Sequence, residues 1–449
     1  MSSASPDSKS GTAFVLSRYV IPVPGPDDSE EIEFLYSSLS NSFLEITDEV
    51  EEELRCMAKG ALNPASKLAE SGFAVDRRLD ELGLVRGIFE AARTSRDATP
   101  CFTIAPTMDC NFGCEYCFES HTKGVMPEPT QDALLEFFAS QVNQVKSEKR
   151  SAYITWFGGE PLMGLKAIRR MMKHLDDWGR QESVALSANI ITNGYLLGPQ
   201  VSRSLIDMGV RAAQITLDGP AELHDSRRSV KGSRRPTFSR ICENIAEIPE
   251  EMRVDVRVNV DRSSVSGVIP LYEELERRGL LRRVNVDVAR VERFSPGPVP
   301  DSMFSSREFV DVMNDLYDTC EERGWPVSYR GPRGAVHGVC QVDSPLSWVV
   351  DWNGDLRKCW AELGTAEGVI GNVKTYGSRL PMLDACRLAS RDPFDDAGCR
   401  ECSFLPACMG GCPKSRMSRR AAGEKECPTW KFNFERVLAT RAQGEHNEA

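Results

Sequence analysis

Three cysteines, Cys110, Cys114 and Cys117, stand within eight residues as C-x3-C-x2-C. They follow directly on the strand-like run Phe102–Thr107. A cubane iron–sulfur cluster takes four thiolates, one per iron. Three thiolates in one loop leave the fourth iron free, so such a cluster is a reaction site and not only an electron carrier. The triplet therefore constrains the fold: a loop gripping an exposed cluster needs a rigid rim, and parallel α/β sheets supply one at their strand ends. Tyr116 sits immediately before the last cysteine of the set. A zinc knuckle is the competing reading of so short a cluster.

The rest of the chain supplies that rim. Over residues 98–300 strand and helix patterns alternate, as expected of βα units on a parallel sheet. Strands are predicted at 101–107, 152–157, 185–192, 212–217, 255–261 and 284–291. Helices are predicted at 130–146, with Thr130 as N-cap, and at 164–178. Six such units predict a partial (β/α)6 barrel. Four unusual segments follow successive strands: the cysteine triplet, Gly158-Gly159-Glu160-Pro161, Thr192-Asn193-Gly194 and Leu217-Asp218-Gly219-Pro220. All fall on the rim where such folds build active sites.

These residues resemble the radical S-adenosylmethionine (SAM) superfamily. The resemblance implies a SAM-binding 4Fe–4S cluster on Cys110, Cys114 and Cys117, and SAM contacts from Tyr116 and the GGE-like Gly158, Gly159 and Glu160. A carboxylate pairs with an ammonium, so Glu160 is expected on the amino group of SAM. Arg228, in the segment His224-Asp225-Ser226-Arg227-Arg228, is expected near its carboxylate. Thr192, Asn193, Asp218 and Asn259 complete the expected contacts, although Asn and Asp also favour turns for local reasons.

A second cysteine system lies C-terminal. Cys340 and Cys359 flank Gly354 as C-x13-G-x4-C, followed by Cys399-x2-Cys402-x5-Cys408-x3-Cys412 and then Cys427. This resembles the SPASM extension of radical SAM enzymes and implies one or two auxiliary 4Fe–4S clusters. By position, Cys399, Cys402, Cys408 and Cys427 belong to the outer one, and Cys340, Cys359 and Cys412 to the inner. No fourth inner cysteine follows Cys340 closely, which leaves an open iron, a ligand borrowed from Cys386 or Asp343, or no cluster. Cys56, Cys101, Cys242 and Cys320 read as small core residues.

The remaining divisions are a disordered start (1–12), an α+β, winged-helix-like N-terminal domain (13–97), a linker or helix (301–334), the SPASM domain (335–435) and a polar tail (436–449). The N-terminal domain reads as a peptide-recognition unit using edge addition, or as a packing cap on the barrel. A net charge of −11 argues against a nucleic-acid partner. No apolar run reaches a membrane span and no signal peptide begins the chain, which implies a cytoplasmic protein. There, fifteen cysteines mean metal or catalysis before disulfides.

The resemblance implies reductive cleavage of SAM to a 5′-deoxyadenosyl radical, fed by a flavodoxin- or ferredoxin-type donor, and hydrogen abstraction from a precursor peptide or protein. A thioether or carbon–carbon crosslink in a ribosomal peptide is favoured. In the sulfatase-maturase type an aspartate follows the second SPASM cysteine, whereas Trp360 stands there in this chain. That formylglycine-forming chemistry is the alternative, and a non-catalytic iron–sulfur or zinc scaffold is the alternative of another class. No general base is assigned.

Overall fold

The computed structural model describes residues 13–25, 31–292, 294, 300–328, 331, 340–366, 368–376, 388, 391–420 and 427–439. The expected disordered start, Cys386 and most of the expected tail lie outside them.

The N-terminal region contains β1 (Phe14–Leu16), β2 (Val20–Pro24), β3 (Ile32–Ser37), β4 (Ser42–Glu45), α1 (Asp48–Ala58), α2 (Lys67–Glu70), β5 (Ala74–Asp76) and α3 (Glu81–Thr94). Strands β2, β3 and β4 form an antiparallel sheet, and β1 pairs with β5. Thr47, Ser66 and Asp80 cap the three helices through their side-chain oxygens.

Six parallel strands follow, β6 (Cys101–Ile104), β7 (Ser151–Trp156), β8 (Ala185–Thr192), β9 (Val210–Thr216), β10 (Arg253–Val260) and β11 (Val284–Arg290). Between and after them come α4 (Glu128–Val142), α5 (Leu165–Glu182), α6 (Pro199–Asp207), α7 (Ala221–Arg227), α8 (Phe238–Glu247), α9 (Val268–Arg277) and α10 (Glu308–Arg323). Along β10 the alternate residues Val254, Val256, Val258 and Val260 are buried, the period-2 pattern of a strand with one face in the core. Helix α5 buries Ile168, Met171, Met172 and Leu175, each worth about 1.5–3 kcal/mol of transfer free energy.

One expectation changes here. Thr130 does not cap α4: the helix starts at Glu128, with Pro127 as N-cap and Pro129 in its first turn. Proline suits a first turn because its missing N–H has no helical partner there. Thr130 is buried inside the helix, its hydroxyl without a partner. The sheet continues beyond the six parallel strands. Strand β12 (Ser347–Val350) pairs in parallel with β6, and β13 (Asp355–Arg357) and β14 (Gly371–Asn372) extend the sheet antiparallel to nine strands. Short helices α11 (Ala397–Arg400) and α12 (Leu405–Cys408) carry Cys399 and Cys408, and the longer α13 (Pro413–Arg420) follows Cys412.

The N-terminal region seats on this cysteine-rich segment. Tyr19, Val85 and Phe89 share a buried cluster with Phe394, Cys399, Leu405 and Met409. Ile21, Val23, Phe34 and Tyr36 share another with Phe404 and Leu438, with Cys402 packed against it. Polar contacts fix the orientation: the Ser38 hydroxyl donates to Ser403 O at 2.5 Å, and Arg86 pairs with Asp392 at 3.0 Å.

Candidate active site

The loop after β6 is pinned from both sides. Thr107 accepts the Asp109 amide at 3.0 Å and donates to Gly124 O at 2.5 Å, while the Asp109 carboxylate accepts the Cys110 amide at 2.9 Å. Further along, Gly113 N donates to Ser229 O and Lys231 N to Asn111 O. Cys110 is buried, Cys114 half-buried and Cys117 exposed, and all three line one cavity of about 490 Å³. Burial, Glu160 and the other two sulfurs push Cys110 up to about 12, and Cys117 rises to about 11, mainly through burial. The thiolates such a loop needs are thus favoured only when a metal centre takes them. His121 lies between the loop's ends, Nδ1 3.1 Å from Met108 O and Nε2 3.5 Å from Cys117 Sγ.

The two glycines after β7 exist because of this loop. A Cβ on Gly158 would lie 2.4 Å from Thr107 O, and Gly158 has φ +107°. On Gly159 it would lie 2.4 Å from Asp109 O and 2.6 Å from Met108 O. Their missing side chains let the cysteine loop rest on the strand end.

Glu160 is fully buried and faces the protein, outside the cavity lining. Its carboxylate accepts Leu162 N at 2.9 Å, Thr192 Oγ1 at 2.8 Å and Asn193 N at 2.8 Å. Burial raises its pKa against the pull of these donors. It thereby braces the β7 and β8 ends. Thr192 and Asn193 line the cavity, and Asn193 Nδ2 donates to Asn111 Oδ1 at 2.8 Å.

On the opposite wall three polar groups form a chain. The Tyr116 hydroxyl donates to Asp218 and accepts from Arg228. Burial raises the Tyr116 pKa, keeping the phenol protonated. Burial opposes the charge on Arg228, but Tyr116, Cys114 and Asp218 outweigh it and hold the guanidinium charged. Tyr116, Arg228 and Asn259 line the cavity, with Asp218 behind them accepting the Asn259 amide at 3.2 Å. His224 sets this wall: Nδ1 accepts Asp218 N at 3.3 Å, so Nε2 carries the proton toward Thr237, which donates to Arg228 O. Sequence reasoning missed Arg227, whose guanidinium lies over the Tyr116 ring at 4.8 Å and pairs with Asp261 at 3.1 Å. Its place beside Arg228 was the available signal.

A second cavity of about 530 Å³ is lined by Cys340, Cys359, Cys412 and Cys427. Tyr116, Phe118, Arg257, Asn259, Gln341 and Trp360 line both cavities, so the two share one wall. Phe118, next to Cys117, meets Trp360, next to Cys359, with ring centroids 5.6 Å apart, and Phe294 and Phe157 contact the Trp360 ring at 5.7 and 5.8 Å. Phe118 and Trp360 are 38% and 39% exposed, unusual for rings in an interior wall.

The C-terminal cysteines gather in two sets. Cys340, Cys359 and Cys412 act on one another, and Cys359 is raised chiefly by burial and then by the other two. Cys408 is pushed up to about 12 by burial and then by Cys427, Cys399 and Cys402. Every described cysteine is a free thiol. Among the described residues no three His, Cys, Asp or Glu side chains converge at the spacing of a single metal ion. Asp343 has a fully buried side chain paired with Arg391 at 3.0 Å and lies outside the cavity lining. Its other carboxylate oxygen, Oδ1, is buried without a hydrogen-bond partner among the described residues, and its charge acts on Cys340.

Known proteins resemble this arrangement. Residues 104–288 match the Radical SAM superfamily. A serine-type anaerobic sulfatase-maturating enzyme of Bacteroides thetaiotaomicron is 24% identical over 70% of this chain and 82% of that protein. The radical SAM cyclopropyl synthase TigE of Paramaledivibacter caminithermalis is 22% identical over 89% of each chain. Among solved structures, anSMEcpe with bound AdoMet has a TM-score of 0.59 at 14% identity, covering 77% of this chain and 96% of its own. Streptococcus suis SuiB bound to the precursor peptide SuiA has a TM-score of 0.55 at 13% identity, covering 93% and 99%. These structural likenesses establish the α/β fold. Residues 104–288 of the chain form a radical SAM domain.

Proposed function

We propose that the chain is a radical SAM maturase acting on a peptide or protein side chain, installing a thioether or carbon–carbon crosslink in a ribosomally made peptide. The observation that carries this reading is the shared wall: a side chain seated against Phe118 and Trp360 lies between the first cysteine triplet and the Cys340, Cys359 and Cys412 set. The named cyclopropyl synthase and the neighbour solved with a precursor peptide support a peptide substrate.

Cys110, Cys114 and Cys117 would hold the 4Fe–4S cluster, and Gly158, Gly159, Thr192, Asn193, Asn259 and Arg228 border the space for SAM. Bound there, cluster and SAM would supply radical chemistry able to remove hydrogen from an unactivated C–H bond. The chain's own work is placement. Arg228 presents a fixed cation for a carboxylate, Tyr116 and Asp218 hold its orientation, and Glu160 keeps Thr192 and Asn193 in register. The aromatic wall keeps water from the reacting carbon. Cys399, Cys402, Cys408 and Cys427 would hold the outer auxiliary cluster, and Cys340, Cys359 and Cys412 the inner, within a SPASM unit of residues 335–435.

A ferredoxin- or flavodoxin-type protein is the proposed donor, in the cytoplasm; no helix of the described residues is long and apolar enough to cross a membrane. Residues 13–97 serve as a recognition unit, with β2 and β4 as the edge strands of their three-stranded sheet.

Anaerobically purified protein is the test. Iron, sulfide and reductive cleavage of SAM are expected, and cleavage disappears when Cys110, Cys114 and Cys117 become alanine. Zinc without iron overturns the enzyme reading in favour of a scaffold. The sulfatase-maturating relatives favour a second reading, side-chain dehydrogenation. Formylglycine formation on a Cys- or Ser-containing sulfatase peptide, with no crosslink in a candidate precursor, selects it.

A further inference from the structure

We propose that Arg416 and Lys431 raise the reduction potential of the centre held by Cys399, Cys402, Cys408 and Cys427, by placing two cations and a hydrogen bond on its sulfurs. This rests on the reading that the quartet holds an iron–sulfur cluster. Arg416 Nη1 lies 3.2 Å from Cys399 Sγ. Its direction is fixed: Nη1 also donates to Gly410 O at 2.7 Å, and Nη2 pairs with Asp396 at 2.8 Å. Asp396 in turn accepts the Cys399 amide at 3.0 Å, so one carboxylate aligns both the cysteine and its cation. Lys431, half-buried, points its ammonium at Cys427 Sγ from 3.9 Å.

The other auxiliary set is built differently. Among the described residues, Cys340, Cys359 and Cys412 accept no hydrogen bond from a cationic side chain, and Cys412 Sγ accepts only the Ser415 amide at 3.5 Å. Arg391 and Lys414, near that set, pair with Asp343 at 3.0 Å and Glu362 at 3.1 Å without bonding a sulfur, whereas Arg416 reaches Cys399 Sγ while paired with Asp396.

Reduction adds one negative charge to a cluster, and hydrogen bonds to sulfur, nearby charge and solvent exposure set how readily it is accepted. The N-terminal region covers the quartet with Tyr19, Val85, Phe89 and Phe34, apolar groups that disfavour added charge. Arg416 and Lys431 act against that cover. The quartet is thereby suited to accept an electron even though it is buried.

The full-length, anaerobically reconstituted enzyme tests this by redox titration followed by electron paramagnetic resonance. Wild type is compared with Arg416→Gln, Lys431→Met, the double variant and Arg416→Lys. The signal missing from a Cys402→Ala, Cys408→Ala variant identifies the quartet. The expected result is a negative shift of that signal's midpoint in each single variant and a larger one in the double. Arg416→Lys recovers part of the shift, and the triplet's signal stays in place. Unchanged midpoints at full iron content overturn the proposal, as does selective loss of the quartet's iron in both single variants, which would make the cations assembly elements. A wild-type content of only about four irons per chain is a different failure, because it removes the auxiliary-cluster reading itself.

Discussion

Gly159→Ala is the sharpest test of how the cysteine triplet is seated. The added Cβ would stand 2.4 Å from Asp109 O, where real contacts stop near 3.0 Å, so the loop must retreat by about 0.6 Å. Neither obstructing atom is on a flexible side chain; both are backbone carbonyls, of Asp109 and Met108. Asp109 O also accepts the Glu160 amide at 2.9 Å, and its own carboxylate holds the Cys110 amide. Retreat therefore moves Cys110 and strains the Glu160 brace together. Overpacking of this kind costs about 1–3 kcal/mol, but the displacement matters more: metal–ligand distances hold to about 0.2 Å. The expected outcome is loss of the triplet's cluster, about four irons per chain, with the C-terminal centres retained. Iron and sulfide assays on anaerobically reconstituted protein, with titration of SAM binding, measure it. Gly87→Ala is the control, since nothing lies within 4 Å of its Cβ. Full iron content and unaltered SAM binding in Gly159→Ala would refute this account of the loop.

Other outcomes follow from the same geometry. Tyr116→Phe leaves Asp218 and Arg228 without the hydroxyl that joins them; denaturant unfolding of the apo chain should show about 1–3 kcal/mol lost, together with weaker SAM binding. Trp360→Ala removes the central ring of the shared wall; product formation should fall about a hundredfold while 5′-deoxyadenosine is still released, and equal loss of both would contradict the positioning role. Burial holds His224 well below the usual histidine pKa, so its neutral form is the folded one. A depressed base contributes stability above its unfolded pKa of about 6.5 that is lost as pH falls toward the folded value. His224→Gln should flatten the stability profile below about pH 6.5, read as the difference from wild type.

Much of the site was legible because it is local. The triplet, the glycine pair and Arg228 announce themselves by spacing, and the Val-rich β10 and β11 by alternation. What stayed hidden depends on contacts between distant segments. Glu160 accepts hydrogen bonds from Thr192 and Asn193, more than thirty residues on, and no local pattern marks that brace. Asp218 lies about a hundred residues from the Tyr116 it orients, and nothing local marks either as half of a pair. Ser347–Val350 is too short to declare parallel pairing, which only the exposed edge of β6 dictates. Thr130 misled because its residue type suits a cap, while the flanking prolines decide where α4 begins.

The place of β12 has a consequence for biogenesis. Until Ser347–Val350 has been synthesised, the strand that leads into the cysteine loop keeps one hydrogen-bonding edge bare, and more than half the chain separates the two partners. Bare edges recruit other strands, and late-closing sheets prolong that exposure. The nascent chain thus presents a loop of three cysteines beside a bare strand edge. Insertion of iron is expected after release from the ribosome, and truncation before residue 350 should yield aggregate in place of a smaller soluble domain.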